Sequence, residues 1–305
     1  MPHSSICGFI GLLLFLLFDV PSSKSDEVKV KHAGLTLNAE LQLAEGKGLQ
    51  HGAVLLVHGT LAHNGMDTIK NLSEVLNERG LNTLAINLSL GVNDRHGMYD
   101  CNTISRHKHL DALEEIAVWV EWLQSRDVGE IVLFGHSRGG NQVARYVTEK
   151  DVTNLTKAVL LAPSVWSAER AARGFMSRHE KPLAKVLARA EAQVKRGGAD
   201  QTLLGVGLLY CKNADVTASS FVSYYGSDTR FNTPSILKEF KIPVLVISGG
   251  NDMVVKGLAE AVRPIADGKL ISFGMVDDAD HFFLDLFAED VADFMEVFLA
   301  GDETS

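Results

Sequence analysis

Ser137 stands in the run Gly-His-Ser-Arg-Gly, directly after the apolar residues Ile131–Phe134. A G-x-S-x-G pentapeptide between a strand and a helix bends the chain sharply, so that the serine hydroxyl projects above the sheet at the positive end of the helix. Gly135 and Gly139 fit such a turn because a side chain at either position would clash. The hydroxyl is a weak nucleophile by itself and needs a base to take its proton during attack. His281, in Asp277-Asp-Ala-Asp-His-Phe-Phe, is of the right type, since free imidazole titrates near about 6.5 and can pass the proton on to a leaving group. A carboxylate must hold that ring in the productive tautomer. Asp252 follows the apolar run Lys241-Ile-Pro-Val-Leu-Val-Ile-Ser through Gly-Gly-Asn. Asp277, Asp278 and Asp280 are nearer the histidine in sequence, but neighbours on one loop rarely point at the same ring nitrogen. The chemistry these residues could do together is acyl transfer through a covalent serine intermediate.

The chain order Ser137, Asp252, His281 separates this arrangement from the chymotrypsin and subtilisin orders. At these residues the chain resembles the α/β-hydrolase superfamily, over roughly residues 50–300. Within it, the chain is most similar to the serine-hydrolase branch of esterases, lipases and serine aminopeptidase-like enzymes. The resemblance implies a mostly parallel central sheet with helices on both faces and a helical cap over the serine. It also implies two backbone donors for the oxyanion of the tetrahedral intermediate. One is the N–H of Arg138. The other comes from Val57-His-Gly-Thr-Leu61, where the His-Gly-x pattern points to Thr60, with Leu61 next. No three-glycine run is present in that loop, unlike the lipases and esterases built on that variant. His58 and His136 read as structural. His63 and Asn64 are candidates for the pocket mouth. The Arg138 side chain either meets an acidic group of the substrate or lies along the helix in solvent. An aspartate at the elbow would mark dehalogenase chemistry, which Ser137 excludes.

The elements that must position these residues are legible as alternating patterns. Leu35–Leu43 alternates as an early antiparallel strand, and Ala53–Val57, Asn82–Asn87, Glu130–Phe134, Lys157–Leu161 and Lys269–Phe273 are further strands. Helices are expected over Asp67–Arg79, over Leu110–Leu123, where apolar residues recur every three or four positions, over Asn141–Glu149, and from Leu284 onward. Strands alternating with helices imply a parallel sheet covered on both faces. Between Pro163 and Lys241 the alternation stops, for longer than a loop in a compact domain allows. The expected organisation is therefore a core of residues 26–163 and 241–305, with a helical cap at 164–240. Residues 164–198 carry eight Arg or Lys against three Glu, a local excess of basic charge in a chain of net charge −9. Leu183, Val186, Leu187, Ala190 and Val194 form an apolar stripe there. One reading is a cap helix with solvated charges outward; the other is a face that attracts anionic substrates or makes weak contact with a lipid surface.

With 305 residues, 46% of them hydrophobic, the chain can bury one substantial core. Ile6–Phe18 is almost wholly apolar but shorter than the about 20 residues a membrane span needs. With Ser23-Lys-Ser25 after it, the segment reads as an export signal, residues 1–25, cleaved near Ser25; a short membrane anchor is the alternative. Cys101 and Cys211 would then remain, either as a disulfide or as two small buried apolar residues. The acidic balance leaves no electrostatic footprint for nucleic acid. No motif for a metal or cofactor is present, so none is expected. The oligomeric state is not legible. The expected activity is hydrolysis of a small-molecule carboxylic ester or thioester. A peptidase acting on N-terminal residues and a catalytically silent binding member of the fold are the alternatives.

Overall fold

The computed structural model describes residues 25–301. The expected signal segment lies outside the described residues except for Ser25, which opens the first strand. In chain order the elements are β1 (Ser25–His32), β2 (Leu35–Gln42), β3 (Ala53–Val57), α1 (Asp67–Glu78), β4 (Thr83–Asn87), α2 (Asp111–Gln124), β5 (Ile131–His136), α3 (Arg138–Glu149) and β6 (Leu155–Leu161). An insertion follows with α4 (Ala168–His179), α5 (Leu183–Lys195), β7 (Thr202–Leu203), β8 (Val216–Thr217), α6 (Ala218–Tyr225) and α7 (Thr233–Ile236). The chain then returns through β9 (Val244–Gly249), α8 (Leu258–Val262), β10 (Ile271–Val276) and α9 (Phe287–Ala300).

Eight strands form one sheet in the order β1-β2-β4-β3-β5-β6-β9-β10. The β1–β2 and β2–β4 pairs are antiparallel and the remaining pairs parallel. Strands β3, β4 and β5 are buried along their whole length, which is why they read as unbroken apolar runs. Successive side chains point to opposite faces. Leu55 and Val57 pack with Ile116 and Trp119 of α2, whereas Val54 and Leu56 pack with Leu72 of α1 and Met295 of α9. This is the expected α/β architecture. Strand β1 goes beyond the expectation: between its charged residues only Val28 and Val30 are apolar, too few to signal a strand. Those same charges suit an edge strand, where they discourage pairing with another chain.

The insertion has an apolar cluster of its own, containing Phe175, Leu183, Ala190, Leu203, Val216, Phe221 and Tyr224. The α5 stripe packs here rather than on the sheet. Tyr99, from the connection between β4 and α2, belongs to the same cluster. That connection is tied to the insertion by Cys101–Cys211, whose Cα atoms are 5.2 Å apart, and by the Ser220 hydroxyl donating to the His107 carbonyl at 2.6 Å. The later part of the expected cap, including Ile236, Leu237 and Phe240, packs instead against the sheet core.

Candidate active site

Ser137 stands between β5 and α3 with φ 57° and ψ −119°, a strained backbone for a residue with a side chain. The surroundings hold it there. Its N–H donates to the Leu161 carbonyl at 2.9 Å, and its own carbonyl accepts from Gly140 N at 3.1 Å. A Cβ on Gly135 would lie 2.5 Å from the Gly139 carbonyl oxygen, and one on Gly139 would lie 2.6 Å from that of Val57 and still closer to that of His58. Only glycines allow so tight an approach of turn, strand and loop.

The structure brings Ser137, His281 and Asp252 into one hydrogen-bonded line. The Ser137 hydroxyl lies 2.9 Å from His281 Nε2, and His281 Nδ1 lies 2.7 Å from Asp252 Oδ2. With Nδ1–H donating to the carboxylate, Nε2 is free to accept the serine proton. The other carboxylate oxygen, Oδ1, accepts from the N–H groups of Val254 at 2.7 Å and Val255 at 2.8 Å. Burial opposes ionisation of Asp252. The bonds from His281, Val255 and Val254 outweigh it and hold the carboxyl below its ordinary value. The competing aspartates point elsewhere: Asp278 meets Asn251, Asp280 caps the N–H of Phe282 at 2.8 Å, and Asp277 is exposed.

His58 and His136 brace the site. His58 Nδ1 donates to the Gly59 carbonyl at 2.9 Å, and its Nε2 accepts from Leu88 N and Arg95 Nη2. Burial, with the Arg95 charge, pushes its pKa down to about 3. His136 donates from Nε2 to the His281 carbonyl at 2.9 Å, fixing that backbone, and burial takes its pKa to about 3 as well. Neither ring can exchange protons near neutrality. The loop after β3 lies directly on the elbow, since a Cβ on Gly59 would stand 3.3 Å from the Ser137 Cβ. Among the described residues, the N–H groups of Thr60 and Arg138 donate to no protein acceptor.

A cavity of about 240 Å³ opens over Ser137, lined by Thr60, Arg138 and insertion residues including Trp166, Arg170, Arg178, Tyr224 and Phe231. No Asp or Glu is among its described lining residues. The Arg138 side chain, left open between cavity and solvent by the sequence, is half-buried and in the cavity wall. Its Nε donates to Thr60 Oγ1 at 3.1 Å, and its guanidinium stands 5.4 Å from the centre of the Tyr224 ring. His63 and Asn64 are not in this wall; Asn64 instead bonds the Ala85 carbonyl at 3.1 Å. Tyr224 and Trp166 were not legible as lining residues, because no motif marks them and only the packing of distant segments brings them in. A larger groove of about 1030 Å³ runs between β10 and α9 but holds no member of the Ser137 line. Glu27, Asp94 and His96 bring potential metal-ligand atoms within 4.8 Å of one another at the β1 edge, where Lys29 already pairs with both carboxylates.

Comparison with known proteins gives the same architecture. The fold matches Est1E from Butyrivibrio proteoclasticus with a TM-score of 0.61 at 16% identity, covering 92% of this chain and 100% of that one. It matches a monoacylglycerol lipase from Paleococcus ferrophilus with a TM-score of 0.56 at 20% identity, over 85% and 96% of the two chains. A Pyrococcus furiosus esterase matches with a TM-score of 0.58 at 17% identity, over 91% of each chain. No curated protein matches the sequence. The model of the alpha/beta hydrolase family matches residues 54–294, a span that runs from β3 through the elbow to α9, and the chain belongs to that family.

Proposed function

We propose that the protein is a serine hydrolase that cleaves a carboxylic ester or thioester through an acyl-enzyme. The observation that carries this reading is the Ser137–His281–Asp252 hydrogen-bonded line. Ser137 Oγ attacks the substrate carbonyl carbon while His281 Nε2 takes its proton. The carbonyl oxygen becomes an oxyanion, which the N–H groups of Thr60 and Arg138 stabilise. The imidazolium is stabilised by Asp252 and gives its proton to the departing alcohol or thiol, leaving the acyl group on the serine. Water, deprotonated by His281, then attacks the ester carbonyl, and the carboxylic acid leaves as Ser137 regains its proton.

A carboxylate to hold a substrate amino group is what an aminopeptidase would require, and the described cavity wall offers none; this favours esters. The complete triad disfavours a silent binding role. The Cys101–Cys211 disulfide supports export, because such bonds persist in oxidising compartments. Labelling with a fluorophosphonate probe tests the reading directly. The probe is expected to modify Ser137, and Ser137→Ala is expected to abolish labelling and lower kcat on p-nitrophenyl esters by on the order of 10⁴–10⁶. An unlabelled protein, or a Ser137→Ala variant as active as the parent, overturns it.

A further inference from the structure

We infer that the Ser137 cavity is built for an acyl chain ending in a carboxylate, with Arg138 as the residue that binds it. The inference rests on the hydrolase reading above and assigns its substrate class. Arg138, Arg170 and Arg178 all line the cavity, and among the described residues none of the three has a carboxylate partner. The chain does supply such partners to other arginines nearby: Arg145 pairs with Glu149 and Asp228, Arg230 with Glu149 and Glu239, and Arg173 with Glu169. Cations beside the nucleophile that lack an internal counter-ion are what an anionic substrate needs.

The position of Arg138 is fixed by buried groups. Its Nη1 lies 3.4 Å from His109 Nδ1. His109 donates from Nε2 to Asn141 Oδ1 at 3.1 Å, and the Asn141 amide is held in turn by the Arg230 carbonyl at 2.9 Å and Thr233 Oγ1 at 3.1 Å. Burial, with the Arg138 charge, keeps His109 well below its ordinary pKa, so the ring stays neutral and can accept from the guanidinium. Thr60 Oγ1 and the Tyr224 face complete the seat. Nη2 makes no hydrogen bond within the described protein, and a planar guanidinium edge matches a carboxylate. Arg170 and Arg178 are exposed at the mouth. Arg170 is anchored on the Lys256 carbonyl at 2.6 Å, and Arg178 lies over Tyr210. They add attraction for an arriving anion. A cavity of about 240 Å³ suits a short chain.

The test compares mono-p-nitrophenyl glutarate with p-nitrophenyl valerate, acyl chains of equal carbon number that differ in the terminal carboxylate. The quantity read is the ratio of the two kcat/KM values. Arg138→Gln is expected to lower that ratio roughly tenfold to hundredfold, mainly through KM for the glutaryl ester, as loss of a charged hydrogen bond does. Arg138→Lys is expected to recover part of it. The double variant Arg170→Gln/Arg178→Gln leaves Arg138 and its buried supports in place, so misfolding does not account for its effect. It is expected to lower the ratio several-fold at low salt and less at high salt, because exposed charges are screened beyond about 10 Å at 0.1 M. A ratio unchanged within twofold in Arg138→Gln and in the double variant overturns the inference while leaving the hydrolase reading intact. If neither ester is hydrolysed and the fluorophosphonate does not label Ser137, the hydrolase reading falls, and this inference with it.

Discussion

The sheet and the insertion above it are held together in different ways. Each central strand is an apolar run that buries both faces against helices adjacent to it in the chain, as Leu55 does against α2 and Leu56 against α1. The insertion closes its cluster only by recruiting the distant connection between β4 and α2, through Tyr99, the Cys101–Cys211 bond and His107 bonded to the Tyr224 hydroxyl at 2.7 Å. The difference divides the labour of the site. Ser137 stands at the end of β5, and Asp252 and His281 on the connections just beyond β9 and β10, where packing restrains their geometry. Groups that would select a substrate stand on the insertion and its partner segment, or face them as Arg138 does.

The largest expected effect falls on the sheet side. Asp252→Asn is expected to lower kcat by about 10³–10⁴, since an amide favours the wrong imidazole tautomer. Asp278→Asn, on the same rim, is expected to change it less than twofold. The reverse ranking, measured on a neutral p-nitrophenyl ester, would move the acid to another residue.

Both regions enter the next expectation. Burial holds His58 and His136 at the sheet, and His107 at the junction, at pKa values of about 3, with His109 also well below its ordinary value. In the unfolded chain these rings titrate near about 6.5. Unfolding therefore takes up protons below that pH, so their contribution to stability is complete above about 6.5 and is lost as pH falls toward 3. Stability is therefore expected to fall progressively as pH drops between those limits. Urea midpoints measured from pH 7.5 to 4.5 check this. A flat profile would mean that the rings are not held neutral.

The smallest of these effects sharpens the contrast most. The Cys101–Cys211 bond spans 110 residues, a closed loop for which the bond contributes about 3–5 kcal/mol. Reduction is expected to remove that stability from the insertion first. In hydrogen exchange, amides of α6 should lose protection while those of β3 and β5 keep theirs. Equal loss in both would show that sheet and insertion unfold as one unit.

Ser137, His281 and Asp252 were legible as candidates because each lies in the connection that follows an apolar run, and the elbow has a steric signature in its two glycines. Element bounds were less exact. Helix α3 begins at Arg138, not Asn141, because the turn is completed within Ser137 itself. Strand β1 gave too little apolar signal. Thr60 was reached through the His-Gly-x pattern, and Gly59, packed against Ser137, explains why the pattern works. The cap was foreseen as one continuous segment. Tyr99 packs with it from outside that segment, and Ile236, Leu237 and Phe240, in the lead-in to the next strand, pack on the sheet.

Local patterns in the sequence were enough to determine the parallel sheet, the tight turn at Ser137 and the candidates Asp252 and His281 that meet it. Each depends on neighbours in the chain: side-chain alternation, a turn that tolerates only glycine, and residues a few positions beyond a strand. The pairing of Cys101 with Cys211, the direction of Arg138 and its meeting with Arg170 and Arg178 were decided by the tertiary structure alone. They depend on contacts between segments tens of residues apart, with no periodicity or motif of their own. Only the closing of the insertion over the elbow brings them to one cavity.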